Sequence, residues 1–583
     1  MAPPGQTLRA MLALVPMLAL GLGACGTDVA QTATVVHQAT PAGLDCKPPA
    51  TPPGLPSEPH LGGDAKTMPW VLQTGDYVAD QGPGIAIAAR DGFRLFVNGR
   101  LLAESTASLE PVFVPLTLLP GDNAVSVVVT ASAGPPSLLA LVDELERPYP
   151  SDAGWKVNAS PSGDWSSAGY DDSTWANAES HGAPEKNPGC DPGPGFPKGS
   201  GAVWISSPSD GTAVFRKKIP ITAVGFAAST TGGGSAEPVL FETKVAASDV
   251  ESATDALAAA LKADGPAVIV LGEGSLDVHR KGDDVTETSA CPTPCVDDPG
   301  KSTKNLLPDD APPCAVTEVK VERSERRFDV ASDKTIVGLG RGAQLYGASL
   351  KVGDSKNVIV RNVALYGVNP DLIEAGDGIS LDGADGVWVD HVTFEAISDG
   401  FIDSTTGSRN LTFSWLKNNG QNAFACGGRH PRSNELGDTT ATIHHTLWQH
   451  VAGRAPFARG SESRVHLFSD VVLDATSYAV GSGCEAQVLL ETTSFDSVAA
   501  PTAKQTCTDA TTLGFIRAQG LGNLYTNAGP HESGDVASSE PHDEQVFTPT
   551  YDYAQAVDSA DTARFIVPER AGAGSRWAQP LDY

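Results

Sequence analysis

The sequence predicts an all-β chain in which a solenoid of short parallel strands, a parallel β-helix, follows a β-sandwich. Three observations carry that expectation. Short β-rich runs recur late in the chain: Asn357-Val-Ile-Val-Arg361, Gly386-Val-Trp-Val-Asp390, Asn410-Leu-Thr-Phe-Ser414, Thr440-Ala-Thr-Ile-His444, Arg464-Val-His-Leu-Phe468 and Ala486-Gln-Val-Leu-Leu490 begin 29, 24, 30, 24 and 22 residues apart. Such a period marks stacked coils, each of which buries its apolar face only against its neighbours. Earlier, alternating runs such as Phe93-Arg-Leu-Phe-Val97 and Ala124-Val-Ser-Val-Val-Val129 are separated by Asn98-Gly99 and Pro120-Gly-Asp-Asn123. That is the pattern of turn-linked sandwich strands. Finally, 583 residues exceed one ordinary core and suggest two large units.

The elements follow in order. Residues 11–24 (MLALVPMLALGLGA) are apolar, preceded by Arg9 and ended by Leu22-Gly23-Ala24-Cys25. The run is too short to span a bilayer as a mature helix and reads as a secretory signal over residues 1–24. Small residues before a cysteine resemble a bacterial lipobox, which implies lipidation of Cys25 and an exported, envelope-anchored or secreted protein. Residues 25–68, rich in Pro, Ala, Thr and Gly, read as a tether. Residues 69–221 form the sandwich. Asp164-Trp165, Tyr170 to Trp175 and the closing Ala213-Val-Phe-Arg-Lys217 resemble galactose-binding-like jelly rolls of secreted carbohydrate enzymes. Trp155, Trp165, Trp175 and Trp204 either stack on sugars or fill the core. The solenoid spans 237–583. An alanine-rich helix over 251–262 caps its open end, ahead of Val268-Ile-Val-Leu271, and Lys334-Thr-Ile-Val-Gly338 is a further rung.

Composition bounds the partners. A formal charge of −30 argues against nucleic acid and confines any polyanion to a local cationic site. Arg429, Arg432, Arg454, Arg459 and Arg464 form such an island in the sequence. Without Cys25, eight of the nine cysteines remain, an even number that suits disulfides in an exported chain. Proximity favours Cys484 with Cys507, and Cys314 with Cys291 or Cys295. Cys291-Pro-Thr-Pro-Cys295 lacks the second ligand pair a zinc site requires. The expected protein is a monomer that meets a membrane only through its lipid.

Candidate chemistry lies in the solenoid. Asp399 and Asp403 are four apart, so in an extended segment they share a face, and Asp377 precedes Asp399 by 22 residues, about one coil. Three carboxylates stacked this way could converge on one hard cation. The competing reading makes them turn caps. Asp382, Asp385 and Asp390 read as turn or packing residues, and His444 and His445 as structural rung residues.

Val387-Trp-Val-Asp-His391, Asp399-Gly-Phe-Ile-Asp403 and Arg454-Ala-Pro-Phe-Ala-Arg459, with Tyr551-Asp-Tyr553 and Ala571-Gly-Ala-Gly574 behind them, resemble in order and rough spacing the pectate lyases of polysaccharide lyase family 1. The resemblance covers roughly residues 237–583 and implies a right-handed β-helix. It also implies a calcium-dependent β-elimination on polygalacturonate, an acidic polysaccharide. By the same resemblance Asp377, Asp399 and Asp403 hold Ca²⁺, Arg454 is the base and Arg459 clamps a substrate carboxylate. Two positions depart from the family pattern. Ala375 stands where a further Asp is frequent, with Glu374 adjacent, and Asn422 is the nearest match to a substrate-binding lysine. Two rivals remain: a glycoside hydrolase on a similar fold, which needs paired acids and no arginine base, and a non-catalytic or weakly active pectin-binding solenoid.

Overall fold

The structure is a computed structural model. It describes residues 83–574, except 107–108, 188–189, 193–195, 198–199, 281–282, 291–316, 371, 373–374, 423–427, 507–512, 520–521 and 531–541, together with the strand His60–Leu61. The signal segment, Cys25, most of the tether, Glu374 and Cys46, Cys291, Cys295, Cys314, Cys426 and Cys507 lie outside the described residues. Cys190 and Cys484 are each disulfide-bonded.

Two antiparallel sheets form the sandwich, one of seven strands and one of six. Its spine is the pair Gly121–Thr130 and Thr212–Ile221, in unbroken register over ten residues. Alternation puts Val125, Val127, Val129, Ala213 and Phe215 into the space between the sheets. Asn98, at φ 49°, makes the sharp turn into Gly99 that the sequence suggests. Of the two readings of the tryptophans, the core one holds for three. Trp155 and Trp204 are 0% exposed and Trp175 only 5%, so their rings are core. Trp165 is half-buried, edge-on to Phe96 at 5.3 Å.

Beyond the sandwich the chain is a parallel β-helix with three walls. The first is a ten-stranded sheet that includes Lys334–Gly338, Lys356–Arg361, Asp385–Asp390, Arg409–Ser414, Thr440–His444, Arg464–Phe468 and Gln487–Glu491. These are the runs visible in the sequence. Their inward apolar residues line the bore: Val358, Val387, Leu411, Ala441, Val465 and Val488 stack as one ladder, each 0% exposed. The second wall has nine strands, and the third comprises two four-stranded runs with strands as short as two residues, such as Ile379–Ser380 and Ile402–Asp403. Helix Val250–Lys262 closes one end by inserting Leu257 and Leu261 into the bore core.

Six successive coils pass from first to second wall through one residue in the left-handed region: Asn362, His391, Trp415, His445, Ser469 and Thr492, with φ from 47° to 57°. Such a backbone is costly for a side-chain-bearing residue. Stacking and hydrogen bonds offset it. The His391 ring stacks on Trp415 at 5.7 Å, Trp415 on His445 at 4.3 Å, and the Asn362 amide donates to the carbonyls of Gly338 and Gly340.

The segment linking sandwich and helix runs over the outer face of the first wall. The backbone N–H groups of Phe226, Ala227, Gly232 and Gly233 donate in turn to the side chains of Thr442, Thr412, Asn357 and Thr335, on four rungs of that wall. A Cβ on Gly233 would lie 2.2 Å from the Ala267 carbonyl oxygen, so the close approach demands glycine. The sandwich core continues into this wall through Val268, Val270, Val337, Ile359 and Trp388. At the junction Arg361 donates to Glu144 at 2.8 Å and to Asp390 at 2.7 Å, with all three side chains at most 3% exposed.

Candidate functional site

The third wall carries the site. Asp403 pairs in register with Ser380, and Ser380 with Lys351; the adjacent bridge of Ser404 to Leu436 sets Glu435 beside Asp403. One outward row therefore reads Lys351, Ser380, Asp403, Glu435, and Phe457 continues it. Asp377 and Asp399 occupy the turns that enter two of these strands. Their carboxylate oxygens and that of Asp403 lie within 4.8 Å of one another, the only such group among the described residues. The Ser380 hydroxyl donates to Asp377, and the Glu435 backbone N–H donates to Asp403 at 2.8 Å. Gly400 makes room, since a Cβ there would meet an Asp403 oxygen at 2.1 Å.

Three carboxyls packed this closely resist ionisation. Burial and then the Asp377 charge push Asp399 up to about 7, with Arg454 opposing the rise. Burial, followed by Asp377 and Asp399, raises Asp403 well above the usual carboxylate range, and burial raises Asp377 against the pull of Ser380 and Arg327. The geometry fits a hard divalent ion: oxygens about 2.3–2.6 Å from one Ca²⁺ lie at most about 5 Å apart. Ala375 is 0% exposed, against Leu372, with its N–H bonded to Ser398. That position is packed and contributes no carboxylate to the trio.

Arg454, at φ 59°, and Arg459, at the end of Phe457–Arg459, both donate to one carboxylate, Glu435. Sequence reasoning missed Glu435. Its signal was its place opposite Asp403 on the next coil, invisible until the third wall is recognised. The guanidinium of Arg454 also sits 5.7 Å from the Phe457 ring centroid, and Arg459 is the more open of the pair, 41% exposed against 20%.

The other expected residues part company. Asn422 is 2% exposed and donates its amide to the Pro370 carbonyl at 3.0 Å. The arginine island disperses: Arg429 pairs with Asp474 at 2.7 Å, and Arg464 bonds the carbonyls of Ser461 and Ser463. Asp382 caps Thr405 and Thr406, Asp385 accepts from Asn410, and His444 and His445 are buried at a wall corner. The cluster thus holds four acids, Asp377, Asp399, Asp403 and Glu435, against two arginines, a formal −2 when all are ionised.

Residues 309–576 match the family described as "Pectate lyase". A probable pectin lyase A of Aspergillus clavatus is 31% identical over 294 residues, which are 47% of this chain and 72% of that protein. A probable pectin lyase F-2 of Aspergillus terreus is 30% identical over 296 residues, 48% of this chain and only 58% of that relative. Among solved structures, a pectate lyase from Paenibacillus sp. 0602 is 18% identical, covering 61% of this chain and 97% of the other at a TM-score of 0.43. On the matched family and the extent of the Aspergillus clavatus relative, this chain belongs to the pectate lyase family.

Proposed function

We propose that the chain is a polysaccharide lyase that cleaves polygalacturonate, an acidic polysaccharide, by calcium-dependent β-elimination. The observation that carries this reading is the convergence of Asp377, Asp399 and Asp403 within 4.8 Å beside the Arg454–Glu435–Arg459 bridge. A site of formal −2 repels a uronate carboxylate unless a cation joins them, and three hard oxygen donors suit Ca²⁺. Bound there, Ca²⁺ would withdraw charge from the uronate carboxylate and so acidify the neighbouring C5–H.

Arg454 takes the C5 proton. The electron pair forms the C4–C5 double bond, the C4–O4 bond breaks, and O4 leaves with a proton from solvent. No water enters the product, which separates this chemistry from hydrolysis. Arginine is a poor base near neutral pH, so turnover rises into the alkaline range. Arg459, with its more open guanidinium, holds a substrate carboxylate by charge-assisted hydrogen bonds.

The relatives named pectin lyases favour a second substrate, the methyl-esterified chain, whereas the acidic trio favours the unesterified one. Ultraviolet absorbance of the unsaturated product from polygalacturonate and from methyl-esterified pectin, each with calcium or with excess chelator, decides between them. The expected result is calcium-restored activity on polygalacturonate and a loss of at least about a hundredfold in folded Arg454→Ala. Full activity in chelator, or wild-type turnover in that variant, defeats the mechanism.

A further inference from the structure

We propose that Arg327 and Lys351 form a second anion subsite, which binds carboxylates of the same polyuronate chain one to two coils beyond the acidic trio. The inference rests on the proposed acidic substrate and adds where its neighbouring sugars lie. Arg327 belongs to the strand Arg326–Asp329 and Lys351 to Ala348–Lys351, the two coils that precede Ile379–Ser380 on the third wall. Register sets their direction. Lys351 pairs with Ser380, which pairs with Asp403, so Lys351 lies on the outward row of the site, about 10 Å from Asp403 at ~4.8 Å per coil. Asp329 pairs with Lys351, and Arg327, two residues earlier, points to the same face.

Both side chains are exposed, and neither makes a hydrogen bond or ion pair with a described residue. This distinguishes them from cations on the other side. Arg454 and Arg459 share Glu435, Arg429 is held by Asp474, and Lys504 by Asp543 at 2.6 Å. Asp329, beside Lys351, is engaged instead by Lys262 at 3.5 Å. The Arg327 charge reaches the trio, since it favours the ionised form of Asp377 against burial. In a chain of net charge −30, two unneutralised cations in line with a carboxylate site suit a ligand that repeats its own carboxylate. A pyranose chain laid along the helix axis offers successive carboxylates on a spacing comparable to that of the coils, one ring after another.

The subsite lies away from the reacting sugar, so its loss is read as length-dependent affinity. The test compares wild type, Arg327→Gln, Lys351→Gln and the double variant on trigalacturonate and hexagalacturonate, following product absorbance with saturating calcium. We expect KM for the hexamer to rise about threefold to fivefold in each single variant and at least tenfold in the double, with kcat unchanged and a smaller rise for the trimer. A hexamer with all carboxyls methyl-esterified should not distinguish the variants from wild type. Equal KM in all four proteins overturns the subsite, as does the same factor for trimer and hexamer. If wild type forms no product from any galacturonate, the lyase reading falls. Calorimetric binding of hexagalacturonate to wild type and the double variant then decides the subsite alone: tenfold weaker binding in the variant supports it, and equal binding overturns it.

Discussion

Two clusters of buried or half-buried acid lie on neighbouring walls of this molecule and behave in opposite ways. At the sandwich junction, Glu144 and Asp390 share Arg361, and Asp390 also accepts from His391 and Ser414. Burial opposes the charge on Asp390, yet His391, Arg361 and Ser414 together hold its carboxyl below the usual range. On the third wall Asp377, Asp399 and Asp403 face one another, and burial with mutual repulsion drives them upward against the pull of Arg327 and Arg454. The first cluster is complete within the protein. On the reading proposed above the second is completed by a bound cation, the difference expected between a structural charge and a binding site.

The comparison breaks most sharply at Arg361. Its replacement by methionine leaves Glu144 and Asp390 buried without their cation, and removal of one partner from a buried pair costs about 3–5 kcal/mol. We expect a loss of that order in urea unfolding, with calcium-dependent turnover per folded molecule unchanged. A loss below about 1 kcal/mol places this pair with ordinary surface pairs and removes the contrast. Glu144 comes from the sandwich and Asp390 from the helix, so the same variant should also loosen the two against each other.

Glu435 sharpens the comparison from the other side, because it is an acid in the open cluster that already has its partners. Its carboxylate holds Arg454 and Arg459 while its backbone N–H holds Asp403. Glu435→Gln keeps the shape but offers one acceptor oxygen where two are used. Misplacement of a catalytic group by about 1 Å can cost a hundredfold. The expected kcat is therefore about tenfold to a hundredfold lower, with Glu435→Asp, which keeps both oxygens, less impaired than Glu435→Gln. Unaltered kcat in Glu435→Gln shows that the arginines hold their places without it.

How much of this was legible in the sequence follows from strand length and periodicity. The first wall has five- and six-residue strands with alternating valines, so Lys334–Gly338, Thr440–His444 and Arg464–Phe468 are readable to the residue. The third wall was not readable, since strands such as Ile379–Ser380 and Ile402–Asp403 are too short for a period to appear. Yet that wall carries the site. Asp377, Asp399 and Asp403 could be singled out by the resemblance of their surroundings to a known family, whereas Glu435 needed the register of Ser404 with Leu436. Asn422 was singled out in another way. Its distance along the chain matched a substrate-binding position, and in the fold its amide donates to the Pro370 carbonyl.

The smallest expected effect tests the comparison through pH. A carboxyl whose folded pKa exceeds its unfolded value of about 3.9 keeps its proton longer in the native state. Stability contributed by that proton is present below the unfolded pKa and is lost as pH rises toward the folded value, about 7 for Asp399. With chelator present, the melting midpoint of the wild type should therefore fall between about pH 4 and 7 more steeply than that of Asp399→Asn, which cannot lose this proton. Each kcal/mol shifts the midpoint of a domain of this size by roughly 2–4 °C or less, so paired scans of the two proteins are required. If the trio holds calcium as proposed, the ion competes with protons for the same oxygens, and its stabilising increment should grow across the same window and be larger at pH 8 than at pH 5. The Glu144–Arg361–Asp390 cluster predicts the reverse slope, because a carboxyl held below its usual range contributes stability that is lost only as pH falls. Parallel pH profiles for wild type and Asp399→Asn, with a calcium increment independent of pH, would mean that the trio is neutralised within the protein after all.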